Sequence, residues 1–291
     1  MAIKINFNGS IEETASVSAF DHGFLFGDSV YEVVATHQNL PCFLNEHLAR
    51  LRQSANAIAL QIPWTDDQFK TEINRTIQEA GNSESYIRII VTRGEGEIDI
   101  DPSSCSKPNI LLYVTPLKSY PEEYYRDGVE ISLVSIKRNS KDALNPGIKT
   151  GNYLNNVLAQ MEAIKGGAKD ALMLNHDGHL TECTTSNFFM VRNGALLTPS
   201  LDCGILSGIT REVILKLADE SGILVEEGKW LPEELDRVEE TFISGSIKKI
   251  MPVCRIDNRL IGGGKVGSVT KKLMKLYGSV LENIGATLFQ N

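Results

Sequence analysis

The run Pro146-Gly147-Ile148-Lys149-Thr150-Gly151-Asn152-Tyr153 holds the residue of this chain best suited to covalent chemistry, Lys149. The pattern predicts a strand-like segment before it and an amphipathic helix after it. A lysine boxed in at such a junction is partly desolvated; burial disfavours the ammonium and leaves an amine that can attack a carbonyl. A lone lysine is ordinarily a solvated surface charge, so the assignment depends on its company. Glu182, in Leu180-Thr181-Glu182-Cys183-Thr184-Thr185-Ser186-Asn187-Phe188-Phe189, follows an apolar strand and offers a carboxylate; taken alone it reads more readily as a solvated turn residue. Two stretches could cradle an anion. Gly204-Ile205-Leu206-Ser207-Gly208-Ile209-Thr210-Arg211 opens a helix, whose free N–H groups and dipole favour negative charge. Ile209 and Thr210 would donate through their backbone N–H groups there, and simple capping by Ser207 is the plainer alternative. Ser244-Gly245-Ser246 is a small-residue turn after apolar Phe242-Ile243. Arg50 could add a bidentate contact, although by itself it reads as a solvated helix face. A nucleophilic amine, a carboxylate for a ring nitrogen and an anion cradle are together what pyridoxal phosphate requires of a protein.

The elements that must position these groups are mixed irregularly. Ile3, Ile5 and Phe7 alternate as a strand into an Asn8-Gly9 turn. Residues 45–60 read as a helix with Asn45 as N-cap and Leu48, Leu51, Ala55 and Ile58 at helical spacing. A strand over 86–93 places Tyr86, Arg88, Ile90 and Thr92 on one face and Ile87, Ile89 and Val91 on the other. Val129, Ile131 and Leu133 alternate as another strand. A helix over 152–165 turns Leu154, Val157, Leu158, Met161 and Ile164 inward and closes at Gly166-Gly167. Hairpins turn at Asp177-Gly178 and Asn193-Gly194, and helices cover 208–221 and 268–284, stopped by Gly222 and Gly285. Without a βαβ repeat, this predicts an α+β, barrel-like architecture. Residues 1–118 form a small N-terminal α+β domain, 119–130 a linker containing Pro121, and 131–291 a larger C-terminal cofactor-binding domain.

Composition narrows the partners. A net charge of −8, from 29 basic and 37 acidic residues, argues against nucleic acid or an anionic membrane. The N-terminus is too short and polar for a signal peptide, and no apolar run reaches the ~18–20 residues of a membrane span. Five scattered cysteines without CxxC spacing read as free thiols of a reducing cytoplasm, and no metal site is expected. Gly262-Gly263-Gly264-Lys265 lacks the order of a phosphate-binding loop, and His22 and His47 read as structural.

Nearly end to end, the chain resembles the class IV, fold-type IV pyridoxal-phosphate aminotransferases. This family holds branched-chain amino acid and D-amino acid aminotransferases, (R)-amine transaminases and aminodeoxychorismate lyases. The resemblance is carried by Phe20-Asp21-His22-Gly23-Phe24-Leu25-Phe26-Gly27-Asp28, Glu46-His47-Leu48-Ala49-Arg50-Leu51, the Lys149 block, and Glu182 with Ser186-Asn187-Phe188. Gly208-Ile209-Thr210-Arg211, Pro252-Val253 and Gly264-Lys265-Val266-Gly267 also fit. It implies Lys149 as the Schiff-base lysine and proton shuttle, and Glu182 as partner of the pyridine nitrogen. Arg50, Ile209, Thr210 and Ser246 match the family's phosphate ligands, and Tyr153 the residue near the phenolic oxygen. It further implies a cofactor cleft between two domains, a homodimer, and a ping-pong exchange between an amino donor and a 2-oxo acid.

Substrate signals are mixed. Tyr86-Ile87-Arg88 resembles the Tyr-x-Arg strand that branched-chain enzymes use near the α-carboxylate, and the Arg-x-His pair of D-amino acid enzymes is replaced by Ile98 and Ile100. Tyr31-Glu32-Val33-Val34-Ala35 departs from the branched-chain Phe-Glu-Gly pattern, and with Ile250-Met251-Pro252 is more like (R)-amine and D-amino acid enzymes. Tyr31, Val33, Tyr86, Arg88 and Ile247 are therefore the candidate substrate residues. A branched-chain-like L-amino acid is the favoured donor, an (R)-amine or D-amino acid the alternative, and the lyase reaction the third reading.

Overall fold

A computed structural model describes residues 2–288, with side chains as far as residue 284. It divides into two compact units. The first takes the chain up to Lys118, Ile148–Asn152 and the segment from Leu281 on; the second takes Ser119–Gly147 and Tyr153–Val280.

In the first unit, β1 (Lys4–Phe7), β2 (Ser10–Glu12), β3 (Ser29–His37), β4 (Leu40–Pro41), β5 (Ser85–Thr92) and β6 (Asn109–Pro116) form an antiparallel sheet of order β2-β1-β6-β5-β3-β4. The Asn8-Gly9 hairpin forms because both residues take positive φ, 52° and 98°, as a tight two-residue turn requires. Three helices accompany the sheet: α1 (His22–Leu25), α2 (Leu44–Ala57) and α3 (Asp66–Ala80). Helix α3 starts on a capping box, with Thr65 and Gln68 each satisfying the other's backbone N–H. Leu48 and Leu51 of α2 and Phe69 and Ile73 of α3 bury against Val30, Val34, Ile87, Ile89 and Val91, each such side chain contributing about 1.5–3 kcal/mol.

The second unit holds β7 (Val129–Leu133), β8 (Asp170–Leu174), β9 (Leu180–Cys183), β10 (Asn187–Arg192), β11 (Ala195–Pro199), β12 (Val225–Gly228), β13 (Glu240–Gly245), β14 (Lys249–Ile256) and β15 (Arg259–Leu260). Its helices are α4 (Glu122–Arg126), α5 (Leu154–Lys165) and α6 (Ile209–Glu220); α7 (Ser268–Leu288) follows. The pairings run β10-β13-β14-β7-β8-β9 and return to β10 through Asn187 opposite Glu182, so six strands close on themselves and bury their edges. The fold is α+β and barrel-like, as the sequence predicts. Strands β7 and β8 pair in parallel, which demands a long crossover; Lys149 and α5 both lie in it.

Several local expectations change. Helix α2 begins at Leu44 on Phe43, whose backbone is left-handed (φ 54°, ψ 36°) and whose side chain makes no capping bond, so Asn45 is not the cap. No strand runs directly into Lys149, because β7 ends at Leu133. Helix α7 continues past Gly285 to Leu288. The largest difference is α5. Its five apolar residues face outward, with Leu154 68% and Met161 62% exposed, while Asn156, Ala159 and Ala163 are buried. Small residues let the helix lie close to Ala171 and Met173 of β8, and periodicity alone does not say which stripe the protein covers.

Candidate active site

In the first unit, alternation along β3 and β5 sorts the chemistry by face. Register sets Tyr31 opposite Ile90, Val33 opposite Arg88 and Ala35 opposite Tyr86, which puts these six residues on one face. Tyr113 of β6, opposite Arg88, extends that face; the sequence reading missed it. The other face carries Val30, Glu32 and Val34 toward α2.

The Lys149 segment lies alongside β3. Tyr31 N–H donates to the Lys149 carbonyl at 3.0 Å, Gly151 N–H donates to Ser29 C=O at 2.8 Å, and Lys149 N–H donates to the Ser54 hydroxyl of α2 at 3.1 Å. The approach is close: a Cβ on Gly151 would come within 2.2 Å of Ser29 Oγ and would have to push that hydroxyl aside. The Lys149 Nζ sits 4.5 Å from the centroid of the Tyr31 ring, and the Arg88 guanidinium carbon 4.1 Å from the same centroid. An aromatic face stabilises cations at such distances, so one buried tyrosine neighbours both the amine and the guanidinium.

Arg50 is organised from beneath. Its Nε donates to Glu32 Oε1 at 2.7 Å and a terminal nitrogen to Oε2 at 2.9 Å, while His47 Nδ1 lies 2.7 Å from Oε2. The spacing of His47 and Arg50 on α2 brings both to Glu32. Glu32 is fully buried, which raises its pKa, but the bonds and charges of Arg50 and His47 outweigh burial and hold it at about 2. Burial, with the charges of Arg50 and Lys149, keeps His47 below the ordinary histidine value despite Glu32. The sequence offered no signal for Glu32 beyond its place in the Tyr31–Ala35 string.

In the second unit, Glu182 lies in β9 opposite Asn187, where the barrel closes. Arg138 donates to its Oε1 at 2.8 Å, Asn187 Nδ2 to its Oε2 at 3.1 Å, and Leu206 N–H to both oxygens at 3.2 Å. Arg138 also donates to Asn156 Oδ1 at 2.8 Å, and Asn156 donates to Thr184 C=O at 2.6 Å. Arg138, Asn156 and Asn187 were all missed from the sequence, because their partners lie on other strands and loops. Gly208 is the N-cap of α6 without a side-chain bond; Ser207 bonds Glu212 instead, so it is not the cap. A Cβ at Gly208 would fall 1.9 Å from Asn187 Oδ1, so a larger residue there would displace the Asn187 amide. Ile209 and Thr210 form the first turn of α6 and are buried. Ser246 follows β13, and Tyr153 immediately precedes α5. The buried Ser244 Oγ has no hydrogen-bond partner among the described residues. An uncapped helix start and an orphaned hydroxyl that can donate, with a buried carboxylate clamped by an arginine that can accept, fit a phosphorylated heterocycle with a protonated ring nitrogen.

Comparison with known proteins agrees with that chemistry. The sequence pattern of the amino-transferase class IV family matches residues 29–256. A Methanocaldococcus jannaschii protein, provisionally named a branched-chain-amino-acid aminotransferase, is 38% identical over 289 residues and covers 99% of each chain. The D-alanine aminotransferase of Bacillus licheniformis is 30% identical over 98% of this chain and 100% of its own. A solved structure of the T.th. branched-chain amino acid aminotransferase with pyridoxamine 5′-phosphate superposes with a TM-score of 0.91 at 28% identity, covering 97% of this chain and 94% of that one. The chain belongs to the class IV aminotransferase family, whose members depend on pyridoxal 5′-phosphate. It is an enzyme, a transferase of amino groups. Among the described residues no helix is long and apolar enough to cross a membrane, and no cluster of metal-binding side chains occurs.

Proposed function

We propose that this aminotransferase moves an amino group between a branched-chain-like L-amino acid and a 2-oxo acid in a ping-pong exchange. The observation that carries the reading is the placement of Arg88 and Lys149 against one Tyr31 ring. It gives a carboxylate-binding cation and a reactive amine a common neighbour. When bound, pyridoxal 5′-phosphate supplies the electron sink for the substrate. Lys149 Nζ would hold the cofactor and, once freed, would take the proton from the substrate α-carbon as general base. Glu182 would partner the ring nitrogen, and Arg138, donating to that carboxylate at 2.8 Å, fixes where it points. Arg50, Ile209, Thr210 and Ser246 bind the phosphate, and Tyr153 serves the phenolic oxygen. Arg88 and Tyr86 orient the substrate carboxylate, and Tyr31, Val33 and Ile247 shape the side-chain pocket.

A second reading, an (R)-amine or D-amino acid transaminase, is favoured by Val33 standing directly opposite Arg88, where a bulky residue narrows the space beside the cation. Five free thiols among the described residues support a reducing, cytoplasmic setting. The outward apolar stripe of α5 supports a homodimer, which light scattering of the purified chain tests.

The deciding experiment has two parts. Borohydride treatment of wild type should leave a stable covalent adduct at Lys149, absent in Lys149→Ala; an adduct retained in that variant removes Lys149 from its role. Half-reactions with L-leucine, D-alanine and (R)-1-phenylethylamine should be fastest with L-leucine, and a clear preference for either of the others would move the assignment to the second reading.

A further inference from the structure

The turn from β13 into β14 carries a lysine that neither the fold nor the reaction obviously needs. Lys248 follows Ser246 and Ile247, its side chain is 13% exposed, and its ammonium is fully used. Nζ donates to Asp170 Oδ2 at 2.5 Å, Thr185 Oγ1 at 2.8 Å and Ser186 Oγ at 2.7 Å, the three donors that an ammonium possesses. Thr185 and Ser186 belong to the loop that follows Glu182. Asp170, at the start of β8, uses its other oxygen to accept from Thr184 N–H at 3.1 Å and Thr184 Oγ1 at 2.6 Å. One buried carboxylate and one ammonium thus fasten both sides of the same junction.

The backbone there is close and constrained. A Cβ on Gly245 would lie 3.2 Å from the Thr185 carbonyl, so turn and loop already touch. Lys249 takes a left-handed φ of 56°, which L-residues disfavour, so the turn needs holding. Burial opposes the Lys248 charge, but Asp170 outweighs it and keeps the group above the ordinary lysine value. A desolvated pair of this kind contributes little net stability compared with apolar side chains of the same size; what it adds is one fixed geometry.

We infer that Lys248 is a positioning residue: by tying the Ser246–Lys248 turn to the Thr184–Ser186 loop, it holds the Ser246 hydroxyl and the Glu182 carboxylate in fixed register for the cofactor. The inference rests on the cofactor roles proposed above for Ser246 and Glu182. It acts through those residues, not by touching the reacting atoms.

The test compares binding of pyridoxal 5′-phosphate and of unphosphorylated pyridoxal to the apoprotein, by equilibrium dialysis. In Lys248→Met, affinity for the phosphorylated form should fall about tenfold or more and that for pyridoxal by less, so the ratio between them shrinks. Lys248→Arg should recover part of the ratio. Thr185→Ala/Ser186→Ala leaves the Asp170 ion pair in place and should shrink the ratio in the same direction by a smaller factor. A merely structural lysine would shift thermal unfolding without changing the ratio. An unchanged ratio in Lys248→Met or in the double variant overturns the inference. Wild type that takes up no pyridoxal 5′-phosphate would instead count against the cofactor reading itself.

Discussion

Each unit contains a buried glutamate paired with an arginine, and the two pairs work in opposite senses. In the first, Glu32 is the anchor: it lies on the core face of β3 and takes a two-pronged bond from Arg50 and a third from His47. The arginine is the group proposed to meet the cofactor. In the second, Arg138 is the anchor, fixed by Asn156, and Glu182 is the group proposed to meet it. A carboxylate can therefore be retained in an apolar interior either to aim a cation or to be aimed by one. The number of its hydrogen bonds does not distinguish the cases; the element on which each partner sits does.

The contrast breaks most visibly at Arg138. Arg138→Met leaves Glu182 without its cation while still buried, and should destabilise the protein by about 3–5 kcal/mol, read from the denaturant midpoint. It should also weaken pyridoxal and pyridoxal 5′-phosphate binding alike, because the ring partner is lost. A variant with wild-type stability would mean that Asn187 and Leu206 suffice to hold the carboxylate.

Glu32→Gln should cost less, roughly 2–3 kcal/mol, since the amide still accepts from Arg50. Its binding signature should differ: the phosphorylated cofactor weakens and pyridoxal scarcely changes, because Arg50 is the group disturbed. Equal weakening of both ligands would collapse the distinction between the pairs.

The pH dependence sharpens it further. Glu32 titrates at about 2 in the folded chain against an ordinary 4.5. Its folded value is depressed, so its stabilisation, roughly 3 kcal/mol, is present above pH 4.5 and lost as pH falls toward 2. His47 is also held below its ordinary 6.5. The unfolded chain therefore binds that proton first, and stability begins to decline as pH drops below 6.5. Unfolding free energy measured against pH should show both limbs in wild type, and the lower limb should flatten in Glu32→Gln. The smallest effect concerns the opposite face of β3: Val33→Gly should change the ratio of kcat/KM for L-leucine to that for D-alanine by about tenfold. An unaltered ratio would exclude Val33 from substrate choice.

Local patterns in the sequence were enough for the turns and the sheet faces. Asn8-Gly9 and Asn193-Gly194 form tight turns because positive φ is cheap for those residues. The period of two along β5 put Tyr86 and Arg88 on one face and Ile87 and Ile89 in the core, where they are fully buried. Asn45 failed as a cap because the chain enters α2 through a left-handed Phe43, a tertiary constraint without a local signature.

What the sequence determined alone was the order of reactive types: a lysine between glycines, a glutamate after an apolar strand, glycines before a helix, and a string of residues with a family likeness. Each is a local fact of bond rotation, hydrophobic period or residue chemistry. What only the tertiary structure decided was partnership. Arg138 reaches Glu182 across 44 positions and Lys248 reaches Asp170 across 78, and α5 covers its alanines while exposing its leucines. Desolvation and hydrogen bonding depend on what surrounds a group in space, and barrel closure at Asn187 and Glu182, not proximity along the chain, sets those surroundings.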